Sequence, residues 1–174
     1  MHKSLERKLV KKYPKLYKEY GGDITKTCMG WGMTCGDGWF KILDELGANL
    51  SEYEVVAAQV KEKFGSLRFY ISSVDEKVYD KIHAHINAAE ELSAITCETC
   101  GAPATIKGKQ WRRCECDECE IKGNILAKIQ SGEYLYKVIN PDQIIIFKDD
   151  EELFKGPVKD FLSIIEKQIR IKAA

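Results

Sequence analysis

The sequence lacks the features that mark membrane, secreted and strongly charged proteins. Its longest strongly apolar run, Ile144–Phe147, is far too short to cross a bilayer, and its charged first residues do not resemble a secretion signal. Basic and acidic residues both number 27, so the formal net charge is zero and predicts no general attraction to nucleic acid or membranes. We therefore expect a soluble protein of the cytoplasm, with no membrane partner.

Familiar catalytic motifs are missing too. The chain has no phosphate-binding Walker loop, no Gly-x-Ser-x-Gly motif and no His-Glu-x-x-His motif. Cys35 has no obvious partner that would make it a nucleophile. Nothing in the sequence argues for an enzyme, so we expect a protein that acts by binding.

The strongest positive signal lies in two Cys-x-x-Cys pairs, Cys97 with Cys100 and Cys116 with Cys119. Each pair can aim two sulfur atoms at one point, and a tetrahedral ion needs two such knuckles. The sequence therefore predicts a structural Zn²⁺ site, with these four cysteines as the metal ligands. Four thiolates leave no open coordination position, so the ion would stabilise the fold without reacting.

Three of the seven cysteines remain outside this scheme. Cys114 competes for a place among the ligands because Cys114-x-Cys116 could also offer a sulfur, although such a pair rarely points both sulfurs at one ion. Cys28 and Cys35 are too isolated to predict a second metal site. An odd count in a cytoplasmic chain favours reduced thiols and metal over disulfides.

Hydrophobic periodicity predicts an α+β fold. A helix from Ser4 to Tyr20 should break near Pro14, and a β-hairpin (Val55–Ile71) and a second long helix (Asp75–Ile95) should follow. A small antiparallel sheet packed by helices would then form a first domain, residues 1–131. That domain contains a zinc-ribbon-like insert at residues 97–119, and residues 132–174 form a ββα unit.

A glycine-rich loop before the predicted hairpin is a candidate ligand site. Glycines alternate with other residues from Gly30 to Gly38, and two tryptophans anchor the loop. Asp37 could cap the next helix or act as an acid, base or metal ligand. The guanidinium of Arg68 would suit a carboxylate or phosphate. The residues of this hypothetical nucleotide pocket are Trp31, Asp37, Trp39 and Arg68, and Lys61 is a further candidate ligand-binding residue.

Two basic segments keep nucleic-acid binding open. The first twenty residues carry seven Lys or Arg side chains against two acidic ones. A predicted hairpin between the cysteine pairs could offset the negative charge of the zinc site, or it could hold phosphate while its tryptophan stacks on a base. The residues of this hairpin are Lys107, Lys109, Trp111, Arg112 and Arg113.

Several motifs in a fixed order resemble a known group. Gly36–Trp39 (GDGW) opens a helix, Gln59–Tyr70 reads QVKEKFGSLRFY, and Cys97–Pro103 (CETCGAP) precedes the second pair, CDEC. Over residues 28–120 the chain resembles uncharacterised zinc-knuckle proteins common in bacteriophages and prophages. The resemblance implies a phage origin and a role in host takeover or counter-defence, and it carries no activity.

The leading hypothesis is a non-catalytic zinc-binding protein of phage type that binds a host macromolecule in the host cytoplasm, with a host protein as the first choice of partner. One alternative is a nucleic-acid binder that uses the basic first helix and the Lys107–Arg113 hairpin. The other is a protein that sequesters or processes nucleotides in the pocket around Arg68. The oligomeric state is not predicted.

Overall fold

The computed structural model describes residues 1–72, 74–140, 143–148 and 151–157. Helices and small antiparallel sheets are mixed along the chain, which confirms the α+β class. Two compact units are present, Met1–Cys116 and a second that begins at Asp117. Among the described residues, no helix is both long and apolar enough to cross a membrane.

The first unit combines three helices with two β-hairpins. The helices are α1 (Lys3–Lys12), α2 (Phe40–Leu50) and α3 (Glu76–Ser93). The strands are β1 (Ala57–Lys63), β2 (Ser66–Ile71), β3 (Thr105–Lys107) and β4 (Arg113–Glu115). Short 3₁₀ turns at Cys28–Trp31 and Asp37–Trp39 shape the glycine-rich loop.

The first helix ends where its sequence requires. Helix α1 stops at Lys12, and the Tyr13 N–H still donates to the Leu9 carbonyl at 2.8 Å. Pro14 has no N–H and disfavours helical geometry at the residue before it, so the helix cannot continue. The predicted break near Pro14 is confirmed.

Helix α3 covers the first hairpin with one apolar face. Its buried residues Ile82, Ile86, Ala89 and Ser93 recur every three or four positions, as an amphipathic helix requires. Ser93 belongs on this face because its hydroxyl accepts the Leu67 N–H at 2.7 Å. The core of the unit therefore lies between α1, α2, α3 and the β1–β2 hairpin, and it includes Tyr13, Leu16 and Tyr17 after α1.

A buried carboxylate joins α1 to the glycine-rich loop. Glu6 is 1% exposed, and it accepts hydrogen bonds from the Lys3 ammonium at 2.8 Å, the Tyr20 hydroxyl at 2.5 Å and the Met33 N–H at 3.3 Å. A buried carboxylate is tolerated only when such donors replace its water. Glu6 thus holds the loop against the first helix.

This arrangement predicts the effect of changing Glu6. Glu6→Ala leaves the donors of Tyr20 and Met33 without their acceptor and should lower the free energy of unfolding by about 2–4 kcal/mol. Glu6→Gln keeps the shape of the side chain and one carbonyl acceptor, so this variant should lose less free energy of unfolding. Urea denaturation of both variants measures the difference. Equal stability of Glu6→Ala and the wild type would contradict this role.

The second unit begins with helix α4 and continues into a three-stranded sheet. Helix α4 spans Asp117–Gln130, and its first turn holds three acidic residues, which suit the positive end of the helix dipole. The sheet has the antiparallel order β5-β6-β7. Its strands are β5 (Leu135–Asn140), β6 (Gln143–Lys148) and β7 (Glu151–Pro157).

The second unit differs from the sequence prediction in two ways. The predicted domain boundary after Ser131 falls between α4 and β5, whereas the compact unit already includes α4. Strand β7 was not predicted, because Lys155-Gly156-Pro157 reads as a linker until its pairing with β6 is known. The predicted closing helix, from residue 158 onward, lies outside the described residues.

Candidate metal centre

Four cysteine sulfurs converge on one point. Cys97 and Cys100 lie in the turn between α3 and β3, Cys116 follows β4, and Cys119 lies in the first turn of α4. All four Sγ atoms are within 4.8 Å of one another, and those of Cys100 and Cys116 are 3.6 Å apart. The cluster could hold a metal ion, and its members are the four cysteines predicted as ligands.

The backbone around the first pair is arranged to stabilise a thiolate. The Cys97 N–H donates to the Ala102 carbonyl at 2.7 Å, and the Gly101 N–H donates to the Cys97 carbonyl at 2.9 Å. Burial raises the pKa of Cys97, but hydrogen bonds from backbone amides, that of Cys116 first, outweigh it and lower the pKa to about 7. Because metals bind the thiolate, this environment suits a metal ligand.

The structure resolves the competition from Cys114. Its side chain is fully buried in the apolar core, and its thiol donates to the Ala94 carbonyl at 3.2 Å. Burial also raises its pKa, which disfavours the thiolate. Cys114 is therefore a core residue.

The first knuckle packs directly on the glycine-rich loop. The Gly38 N–H donates to the Glu98 carbonyl at 2.8 Å, and the Gly36 N–H donates to the Glu98 carboxylate at 2.8 Å. A side chain on Gly36 or Gly38 would overlap the backbone of Cys97 or Glu98. The two glycines of the GDGW motif are thus explained by the close approach of the knuckle.

The tryptophan that follows has a structural role. Trp39 is fully buried, and its indole N–H donates to the carbonyl of Thr96, the residue before Cys97, at 2.8 Å. Asp37 does not cap the next helix as expected. Its carboxylate accepts the His2 N–H at 2.6 Å instead.

The remaining candidate ligand-binding residues either have partners within the fold or are exposed. The Arg68 guanidinium contacts the Ser66 hydroxyl at 2.8 Å, its neighbour's carbonyl, and the Glu90 carboxylate at 3.4 Å. The Lys61 ammonium lies 5.5 Å from the centre of the Tyr70 ring. Trp31 is 66% exposed. Among these residues, the fold brings Lys61 next to Arg68, its cross-strand partner in the first hairpin.

An acidic cleft beside the knuckle was not anticipated. It has a volume of about 460 Å³, and its charged side chains are Glu62, Glu98, Glu115 and Arg113. Burial raises the pKa of Glu98; the Gly36 N–H lowers it, and the nearby Glu62 carboxylate raises it further. No local pattern could have predicted this cleft, because its walls come from segments far apart in the chain.

The basic hairpin is exposed as expected. Strands β3 and β4 pair Lys107 with Arg113, and Trp111 in the loop between them is 86% exposed. The Arg113 guanidinium lies 3.9 Å from the Glu115 carboxylate, so its charge is partly balanced. In α1, Lys3 pairs with Glu6 and Lys12 pairs with Asp44. Both basic segments thus keep exposed positive charge, from Lys109 and Arg112 in the hairpin loop and from Arg7, Lys8 and Lys11 in α1.

Comparison with known proteins gives no further guide to this site. No family model matches the chain, and neither curated proteins nor solved structures contain a match.

The cluster predicts which cysteines control metal content. Cys116→Ala removes one of the four sulfurs and should abolish stoichiometric metal binding by the purified protein. Cys28→Ala is the matched control, since Cys28 is exposed and outside the cluster. Elemental analysis by plasma mass spectrometry measures both. Equal metal content in the two variants would show that the cluster is not the site.

Proposed function

We propose that this protein is a non-catalytic binding protein of phage type, in which a structural zinc ion stabilises the surface that contacts a host macromolecule. The observation that supports this proposal most directly is the convergence of four thiols, with no other donor type joining them among the residues that the structure describes. A tetrahedral ion bound by four thiolates has no position left for water or substrate. The metal would therefore stabilise structure, without taking part in a reaction.

Zinc suits the donor set and its spacing. A tetrahedral Zn²⁺ with Zn–S bonds near 2.3 Å requires sulfurs about 3.8 Å apart. The distance of 3.6 Å between the Cys100 and Cys116 sulfurs agrees with that value, and the 4.8 Å limit over all four allows small adjustments on binding. Bound zinc would hold the knuckle in the shape that packs on Gly36 and Gly38.

The described residues favour binding over catalysis or nucleotide capture. Burial raises the pKa of Cys35 to about 12, so this thiol is a poor nucleophile at neutral pH. Arg68 already has its partners and Trp39 is buried, so the nucleotide-pocket hypothesis gains no support from the arrangement.

A host protein remains the first choice of partner. The loop held by the knuckle and by Glu6 exposes Trp31. Ile24, which lies close to Gly30 of this loop, is 52% exposed. Exposed tryptophans often anchor protein interfaces. Together with the resemblance to phage proteins, this surface supports a role in host takeover or counter-defence.

The test is affinity capture from nuclease-treated bacterial lysate with the full zinc-loaded chain as bait. A specific host protein should be recovered by the wild type and by Trp111→Ala, and it should be lost with Trp31→Ala. Stripping zinc with a strong chelator should lower the melting temperature and abolish the capture. Recovery of no protein above background, or equal recovery by Trp31→Ala, would contradict this choice of partner.

A nucleic acid is a second candidate partner. The specific observation in its favour is the exposure of Trp111 within a loop that also carries Lys109 and Arg112.

A further inference from the structure

The turn of the first hairpin contains an aromatic residue in an unusual conformation. Phe64 and Gly65 form a two-residue turn between the paired Lys63 and Ser66, and both have positive φ, 57° and 84°. Turns of this kind favour Asn-Gly, because a bulky residue is strained in the left-handed region. Phe64 is also 60% exposed, so burial does not compensate for the strain.

Backbone strain at the exposed Phe64 suggests that this residue has a role other than stabilising the fold. An Asn at position 64 would satisfy the turn better and expose less apolar surface. The presence of Phe at this position therefore needs another explanation, and contact with a partner supplies one.

The second hairpin lies against this turn. A Cβ added to Gly65 would come within 2.8 Å of the Ile106 side chain and within 3.4 Å of the Arg113 backbone. Ile106 and Arg113 lie in the paired strands β3 and β4, close to the loop that carries Trp111. The tips of both hairpins, each with an exposed aromatic ring, thus lie at one edge of the first unit.

Positive charge accompanies both rings. The Lys63 ammonium lies 5.3 Å from the centre of the Phe64 ring, and Lys109 and Arg112 flank Trp111 in the sequence. Two nearby carboxylates are held by the hairpins, because Glu62 accepts the Gly65 N–H at 2.6 Å and Glu115 lies beside Arg113. We define the hairpin-tip surface as Lys63, Phe64, Lys109, Trp111 and Arg112.

We propose that the hairpin-tip surface binds single-stranded nucleic acid, with bases stacked on Phe64 and Trp111 and phosphates beside the three cations. Exposed rings next to cations are what unpaired bases and their backbone require. A duplex hides the faces of its bases, so it could use only the charges. The inference deepens the second candidate partner and does not depend on the Trp31 loop.

The test measures binding of a fluorescein-labelled oligothymidylate by fluorescence anisotropy, with the full zinc-loaded chain. Phe64→Asn and Trp111→Ala should each weaken binding about fivefold or more, the loss expected for one stacked base. Phe64→Asn should also keep or raise the melting temperature, because Asn suits the turn. Arg112→Ala should reduce the slope of log affinity against log salt by about 0.7.

Tyr79→Ala is the matched control. Tyr79 is 49% exposed on α3, about 20 Å along the helix from Ser93, which binds β2 close to the hairpin tip. Its replacement should leave the affinity unchanged, and a duplex of the same length should bind more weakly than the single strand.

Three outcomes would overturn the inference. They are equal affinity for duplex and single strand, full affinity of Phe64→Asn, and no measurable binding by a protein that is folded and zinc-loaded. In the last case, capture of a host protein would still be possible through the Trp31 loop, so the two proposals fail separately.

Discussion

The close packing of the first cysteine knuckle on the glycine-rich loop is the constraint on which the rest depends. The backbone of Cys97 and Glu98 lies so near Gly36 and Gly38 that neither glycine can carry a side chain. A knuckle held by a metal has a fixed shape, so it can serve as a template for this loop. The first cysteine pair, the loop and buried Trp39 therefore form one structural element in the first unit.

Helix α1 contacts the same glycine-rich loop through Glu6. Glu6 accepts the Met33 N–H from within the core, while the knuckle binds the loop a few residues later. Buried Met33, Cys35 and Trp39 pack the loop into the core, and the polar attachments fix the backbone between them. The loop thus presents the exposed Trp31 side chain on a support that is attached from both sides.

Sequence patterns predicted this fold well where the signal was local. The break at Pro14, the Val55–Ile71 hairpin and the cluster of four cysteines each follow from patterns among neighbouring residues. Features that depend on tertiary contacts were missed or misread. Nothing in the sequence around Arg68, which lies in β2, reveals its partner Glu90 on helix α3. In the same way, β7 becomes recognisable only through its pairing with β6.

The central claim is that a closed, all-sulfur zinc site organises the first unit. X-ray absorption spectroscopy at the zinc edge of the purified full-length protein tests it most directly. The account predicts four sulfur scatterers at about 2.3 Å and no oxygen or nitrogen in the coordination shell. A shell containing a water oxygen, or protein that is fully folded without zinc, would contradict it.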